Sequence, residues 1–116
     1  MISAAILRNK SGCIWGFQVL NHGESNVCAA VSLLALNTAN SIEALTDEPF
    51  VCDYNPEGGF LKVELPQIKE GCSGGSAELL LEAMVLGLKS VKENYSSEIE
   101  IKDDNYDQDK PAIFCT

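Results

Sequence analysis

The feature that most restricts the fold of this 116-residue chain is the run from Val27 to Leu45. Val27, Val31, Leu34, Thr38, Ile42 and Leu45 return at steps of three or four, the period of an α-helix with one apolar stripe. Ser25 or Asn26, just before the run, can serve as its N-cap. Such a stripe must be buried, and the flanking segments offer a sheet to bury it on. Ile2 to Arg8 is apolar, Lys10-Ser11-Gly12 can turn, and Cys13 to Leu20 follows, which predicts an opening β-hairpin. Beyond the helix, Phe50 to Tyr54 and Phe60 to Leu65 flank Asn55-Pro56-Glu57-Gly58-Gly59 and predict a second hairpin.

Pro66 to Ser76, with glycines at 71, 74 and 75, reads as a flexible connection. A second helix is predicted from Ser76 to about Tyr95, with Leu80, Ala83, Met84, Gly87, Leu88 and Val91 as its buried stripe. Gly87 costs this helix about 1 kcal/mol relative to Ala, which implies close packing against the first helix or a partner subunit. Ser97 to Lys102 alternates, with Ile99 and Ile101 on one face, as a final strand does. The order β-β-α-β-β-α-β predicts an α+β two-layer domain, two helices on one face of a small mixed sheet. The length allows a single domain over residues 1–116, with 103–116 a loosely held tail on which only Ile113-Phe114 could dock.

Apolar residues make up 46% of the chain, well above a disordered composition. No stretch approaches the roughly 18 uninterrupted apolar residues of a membrane span, and the N-terminus lacks a signal peptide's pattern. The expected setting is the cytoplasm, without membrane contact. The net charge of −9 argues against direct nucleic-acid binding and would steer a basic partner inward, or simply aid solubility. A reducing cytosol would keep most of the five cysteines as thiols. Cys13, Cys52 and Cys72 read as ordinary thiols, and Cys115 as exposed and oxidisable. With one histidine and no closely spaced cysteine pair, no metal or other cofactor is implied. Gly74-Gly75 could cradle an anion, but no P-loop lysine follows.

Cys28 falls in the first turn of the predicted helix, where unpaired N–H groups and the helix dipole favour a thiolate. His22 lies on the entering loop, six residues earlier, close enough to fold back towards the sulfur. A Cys–His pair is the minimum apparatus for thiol acyl transfer, and the helix N–H groups could serve as oxyanion donors. Cys28 before Ala29-Ala30-Val31 also fits a small buried hydrophobe, and a lone loop histidine fits a surface position. Glu24, Ser25 and Asn26 are equally eligible to orient an imidazole. Ser25, Asn26 and Ser32 are candidate substrate contacts, with backbone hydrogen bonding an alternative for Ser32. Trp15 could lie beside the site, in the core or at a subunit contact. A thiol redox sensor built on Cys28 is a further reading.

The runs GFQVLNHGES and VCAAVSLLALNTANSIEAL resemble the ribosomal-processing cysteine proteases, the Prp family, and EGGFLKVELP and the second helix also fit. The resemblance implies a small α+β fold and a homodimeric cysteine endopeptidase. It implies that Cys28 is the nucleophile and His22 the general base. The implied substrate is a basic ribosomal protein, L-twenty-seven of the large subunit, whose N-terminal extension is removed at a hydrophobic motif. Asn21-His22-Gly23 stands where the family has Gly-His-Ala, and the stretch from His22 to Cys28 is shorter than usual. The alternative is therefore a degenerate dimeric member that holds a ribosomal peptide without cutting it.

Overall fold

In the computed structural model, which describes residues 1–20, 26–55, 57, 59–71 and 75–103, the opening hairpin forms the middle of a five-stranded sheet. Strand β1 (Ile2–Arg8) pairs antiparallel with β2 (Ile14–Leu20). The turn between them is closed by Asn9, whose Oδ1 accepts from the N–H groups of Ser11 (2.9 Å) and Cys13 (3.0 Å). Gly12, at φ 87°, supplies the left-handed backbone that this turn requires. Helix α1 (Asn26–Leu45) follows, then the antiparallel pair β3 (Val51–Asn55) and β4 (Phe60–Glu64).

Helix α2 (Pro66–Glu70) and helix α3 (Ser76–Asn94) lead to β5 (Ile99–Lys102). The sheet order is β3-β4-β2-β1-β5, antiparallel except for the β1–β5 pair. Strands β2 and β3 therefore run parallel, as do β4 and β5, so α1 and the α2–α3 segment are crossovers. Helices α1 and α3 pack on each other in one layer. The two-layer α+β fold is as expected, with a third, short helix added.

The register brings one face of every central strand to the helices. Ile6 lies opposite Phe17, and Phe17 opposite Val63; Ala4 lies opposite Val19, and Val19 opposite Leu61. All are buried, together with Val27, Val31, Ala35 and Ile42 of α1 and Leu81, Met84, Val85 and Leu88 of α3. Each large side chain so buried contributes about 1.5–3 kcal/mol of transfer free energy. Thr38, a polar residue buried in this core, donates to the Leu34 carbonyl at 2.7 Å. In length and hydropathy α1 also matches a membrane span, but its inner face belongs to this core.

Three local expectations are revised. The segment after Pro66 is not all connection: Pro66 begins α2, where its missing N–H costs nothing, and Ile68 is fully buried. The buried stripe of α3 is rotated from the expected one: Ala77, Leu81 and Val85 join Met84 and Leu88 inside, whereas Ala83 faces solvent. Leu45 of α1 is likewise exposed. The cause is lateral packing. Gly87 lies against Leu34, and a Cβ there would meet Leu34 Cδ2 at 2.8 Å, so Leu34 and Gly87 face each other instead of the sheet.

At the far end of the hairpin, the register shifts between Leu7 and Arg8, leaving Trp15 as the extra residue of a β-bulge. Arg8 then reaches to the helix side. Its Nε and Nη2 donate to the two carboxylate oxygens of Asp103 at 2.7 and 2.9 Å, and Nη2 also donates to Glu82 of α3 at 3.0 Å. The Asp103 side chain is 1% exposed and that of Arg8 10%, and these hydrogen bonds raise the guanidinium pKa further, with Asp103 the larger cause. Asp103, expected in a loose tail, is thus anchored, because its carboxylate is what pairs the buried arginine. Residues 104–116 lie outside the described residues.

Arg8→Ala removes the bidentate partner of the buried Asp103 carboxylate, and is expected to lower the unfolding free energy in urea titrations by about 3–5 kcal/mol. A loss below about 1 kcal/mol would place the pair in the class of exposed ion pairs. Gly16→Ala puts a Cβ 2.6 Å from the Val63 carbonyl oxygen of β4, a backbone atom that cannot yield. It should cost about 1–3 kcal/mol. At Gly87 the clash is with the movable end of Leu34, and helix propensity returns about 1 kcal/mol. Thermal melts should show the larger loss for Gly16→Ala, and the reverse order would refute this packing.

Candidate active site

Strand β2 ends at Leu20, opposite Phe60 at the start of β4, and α1 begins beyond it at Asn26. Cys28 is therefore the third residue of α1, at the end of the sheet where β2 finishes and β4 starts. The first N–H groups of an α-helix have no partner within the helix and carry the positive end of its dipole. Both effects stabilise negative charge at a nearby sulfur. The first turn of α1 contains no acidic residue to oppose them.

The Cys28 side chain shares the inner face of α1 with Val31, Ala35 and Ile42, and the residue is 7% exposed. It belongs to the edge of the core as well as to the helix start. Ser32, one turn on, is half-buried on the same side. Asn26 is exposed and sits two residues from Cys28, a spacing that places it across the helix. The structure thus brings Cys28 and Ser32 together and sets Asn26 apart. His22, Glu24 and Ser25 lie outside the described residues, as do Gly58, Cys72, Gly74 and Cys115.

Two other cysteines sharpen the contrast. Cys52 on β3 is exposed and not disulfide-bonded. Partial burial, and then the adjacent Asp53 carboxylate, push its thiol pKa up. Cys13, expected as an ordinary thiol, is disulfide-bonded. Disulfides require Cα atoms within about 7 Å, a proximity that sequence spacing does not reveal. Trp15 is away from the site. It lies at the opposite end of β2, about 16 Å from Leu20 by strand rise, with Lys69 Nζ 4.7 Å from its ring centre.

One part of the neighbourhood was not foreseen. Tyr54 of β3, Leu61 of β4 and Val19 of β2 form a cross-strand row facing the helices, and they line a narrow crevice with Ser32, Ala35 and Leu36 of α1. The alternation of Cys52 and Tyr54 on β3 could have placed Tyr54 on that face. Only the helix crossing over β2 and β4 brings it to α1.

Comparison with known proteins gives a consistent set. The family model for cysteine protease Prp matches residues 1–100. The ribosomal processing cysteine protease Prp of Bacillus subtilis (strain 168) is 25% identical over 107 residues, which are 87% of this chain and 96% of that protein. SMU.848 from Streptococcus mutans shares the fold at a TM-score of 0.77 and 32% identity, over 88% of this chain and 92% of its own. Prp from Staphylococcus aureus, solved with a covalently linked product peptide, matches at a TM-score of 0.74 and 25% identity, over 88% of this chain and 98% of its own.

The position of Cys28 at a helix start and the raised pKa of Cys52 predict an order of reactivity. With limiting iodoacetamide at neutral pH, peptide mapping should find Cys28 alkylated before Cys52, despite the greater exposure of Cys52. Asp53→Asn should speed Cys52 modification by removing the adjacent charge. Faster labelling of Cys52 in the unsubstituted protein would count against an activated thiol at the helix start.

Proposed function

The chain belongs to the Prp family of cysteine proteases, and on that premise we propose that it removes an N-terminal extension from the large-subunit ribosomal protein L-twenty-seven. The observation that carries this reading is Cys28 in the first turn of α1, within the residues that the family model matches, where the resemblance of the VCAAVS run puts the nucleophile. The Bacillus subtilis and Staphylococcus aureus relatives are named as ribosomal processing enzymes, which supports a ribosomal substrate. A chain of net charge −9 would also draw in a basic protein by long-range steering.

In the proposed mechanism His22 takes the Cys28 proton and the thiolate attacks the scissile carbonyl carbon. The resulting oxyanion accepts hydrogen bonds from N–H groups of the α1 start. His22 returns the proton to the departing amine as the C–N bond breaks, leaving a thioester on Cys28. Water, deprotonated by His22, hydrolyses that thioester and restores the thiol. Ser25 and Ser32 are the proposed polar contacts to the peptide. The proposed setting is the cytoplasm, and the proposed active form is a homodimer. Leu33, Leu79 and Leu86, exposed on the helical layer, offer apolar surface for self-association.

A peptide spanning the extension junction of the ribosomal protein should be cleaved at one bond. Cys28→Ala should reduce turnover by about 10³-fold or more, and His22→Ala by about 10²–10⁴-fold. An intact peptide after incubation with folded protein would defeat the protease assignment. Binding of the same peptide without product would identify the non-cleaving alternative.

A further inference from the structure

The end of the sheet away from Cys28 carries an open cleft of about 440 Å³ between the β1–β2 turn and the end of α2. Asn9 and Lys10 belong to one wall, Lys69 and Glu70 to the other, and Trp15 lines it as well. Lys69 Nζ stands over the Trp15 ring, 4.7 Å from its centre. Among the described residues neither Lys10 nor Lys69 pairs with a carboxylate. Arg8, on the same rim, is instead committed to Asp103 and Glu82. With Glu70 as the carboxylate of this lining, two uncommitted ammonium groups leave the cleft net positive on a chain of net charge −9. Its chemistry suits an acidic segment that also carries a ring to lay against Trp15.

The chain itself supplies such a segment. Asp104-Asn105-Tyr106-Asp107-Gln108-Asp109 follows directly on Asp103 and lies beyond residue 100, where the family match ends. Asp103 is held by Arg8, a residue of the cleft's rim, so the segment starts beside the cleft. The direction agrees too. Strand β5 runs parallel to β1 with Lys102 beside Ala5, and five residues beyond each stand Asp107 and Lys10. An extended chain covers about 16 Å in that many residues, which carries the segment to the level of the β1–β2 turn. We infer that residues 104–109 dock in this cleft, with Asp104 and Asp107 paired to Lys69 and Lys10 and Tyr106 against Trp15. Tethering at Asp103 gives the segment a local concentration of about millimolar or more, so contacts too weak to join separate molecules suffice. The docked segment ties the hairpin turn to α2. The inference does not depend on the protease reading.

Trp15 is the one tryptophan of the chain, so its fluorescence reports on the cleft directly. The test measures quenching of that emission in the full chain by acrylamide, whose lack of charge keeps it indifferent to the substitutions. Asp104→Asn, Asp107→Asn and Tyr106→Ala in one variant should raise the quenching constant about twofold, as should about 0.5 M salt acting on the unsubstituted chain. Lys10→Glu with Lys69→Glu should have the same effect. Adding Asp104→Lys and Asp107→Lys to that lysine variant should restore protection, which a merely structural role for the two lysines does not predict. Circular dichroism and the rate of Cys28 alkylation should be the same in every variant, because the cleft lies at the far end of the sheet.

Equal quenching in the unsubstituted chain, the tail variant and the high-salt sample would overturn the docking. So would a charge exchange that leaves Trp15 as accessible as the lysine variant alone. Protection that disappears on dilution from about 100 μM to about 1 μM would assign the segment in the cleft to a second copy of the chain, and the intrachain docking would fall.

Discussion

The rest of the structure depends on the burial of α1 against the centre of the sheet. Val31, Ala35 and Ile42 leave essentially no surface to solvent, and Phe17, Val19, Leu61 and Val63 opposite them are equally enclosed. A helix held by that many apolar contacts cannot slide or rotate by one residue without exposing several of them. Its first turn is therefore fixed relative to the end of β2, and Cys28 is fixed with it. The nucleophile proposed here owes its position to hydrophobic packing before any polar interaction acts on the sulfur.

The two ends of the domain are built differently. Away from Cys28, the bulge at Trp15, the Arg8–Asp103 pair and the α2 turn interlock the hairpin, the last strand and α3. These contacts are buried, bidentate and shared among distant parts of the chain, which is the pattern of a structural anchor. Around Cys28 the described residues give a helix start and a narrow crevice that Ser32, Ala35 and Leu36 of α1 form with Val19, Leu61 and Tyr54 of the sheet.

Much of the fold was legible because it follows from local rules. Both hairpins have turn residues between apolar alternations, and α1 has an uninterrupted helical period. Helix α2 was not legible: five residues are too few to show a period, and the glycines after it suggested a loop. The stripe of α3 was misplaced for another reason. Leu80, Gly87 and Val91 have helical spacing, but α1 occupies the side they point to, so the sheet-facing set is Leu81, Val85 and Leu88. Cys13 shows the same limit, since its disulfide depends on a spatial neighbour that spacing cannot name.

By itself, the sequence determined the α+β class, the strand and helix order, the family, and the placement of Cys28 within the first turn of a helix. Each follows from residues close together in the chain, where periodicity, turn chemistry and motif are written directly. Only the tertiary structure decided what surrounds that cysteine. It brought Tyr54 from a distant edge strand to the side of α1. The reason is that the two crossovers place β3 and α1 together at one end of the sheet. That juxtaposition depends on how the layers pack, which no local pattern encodes.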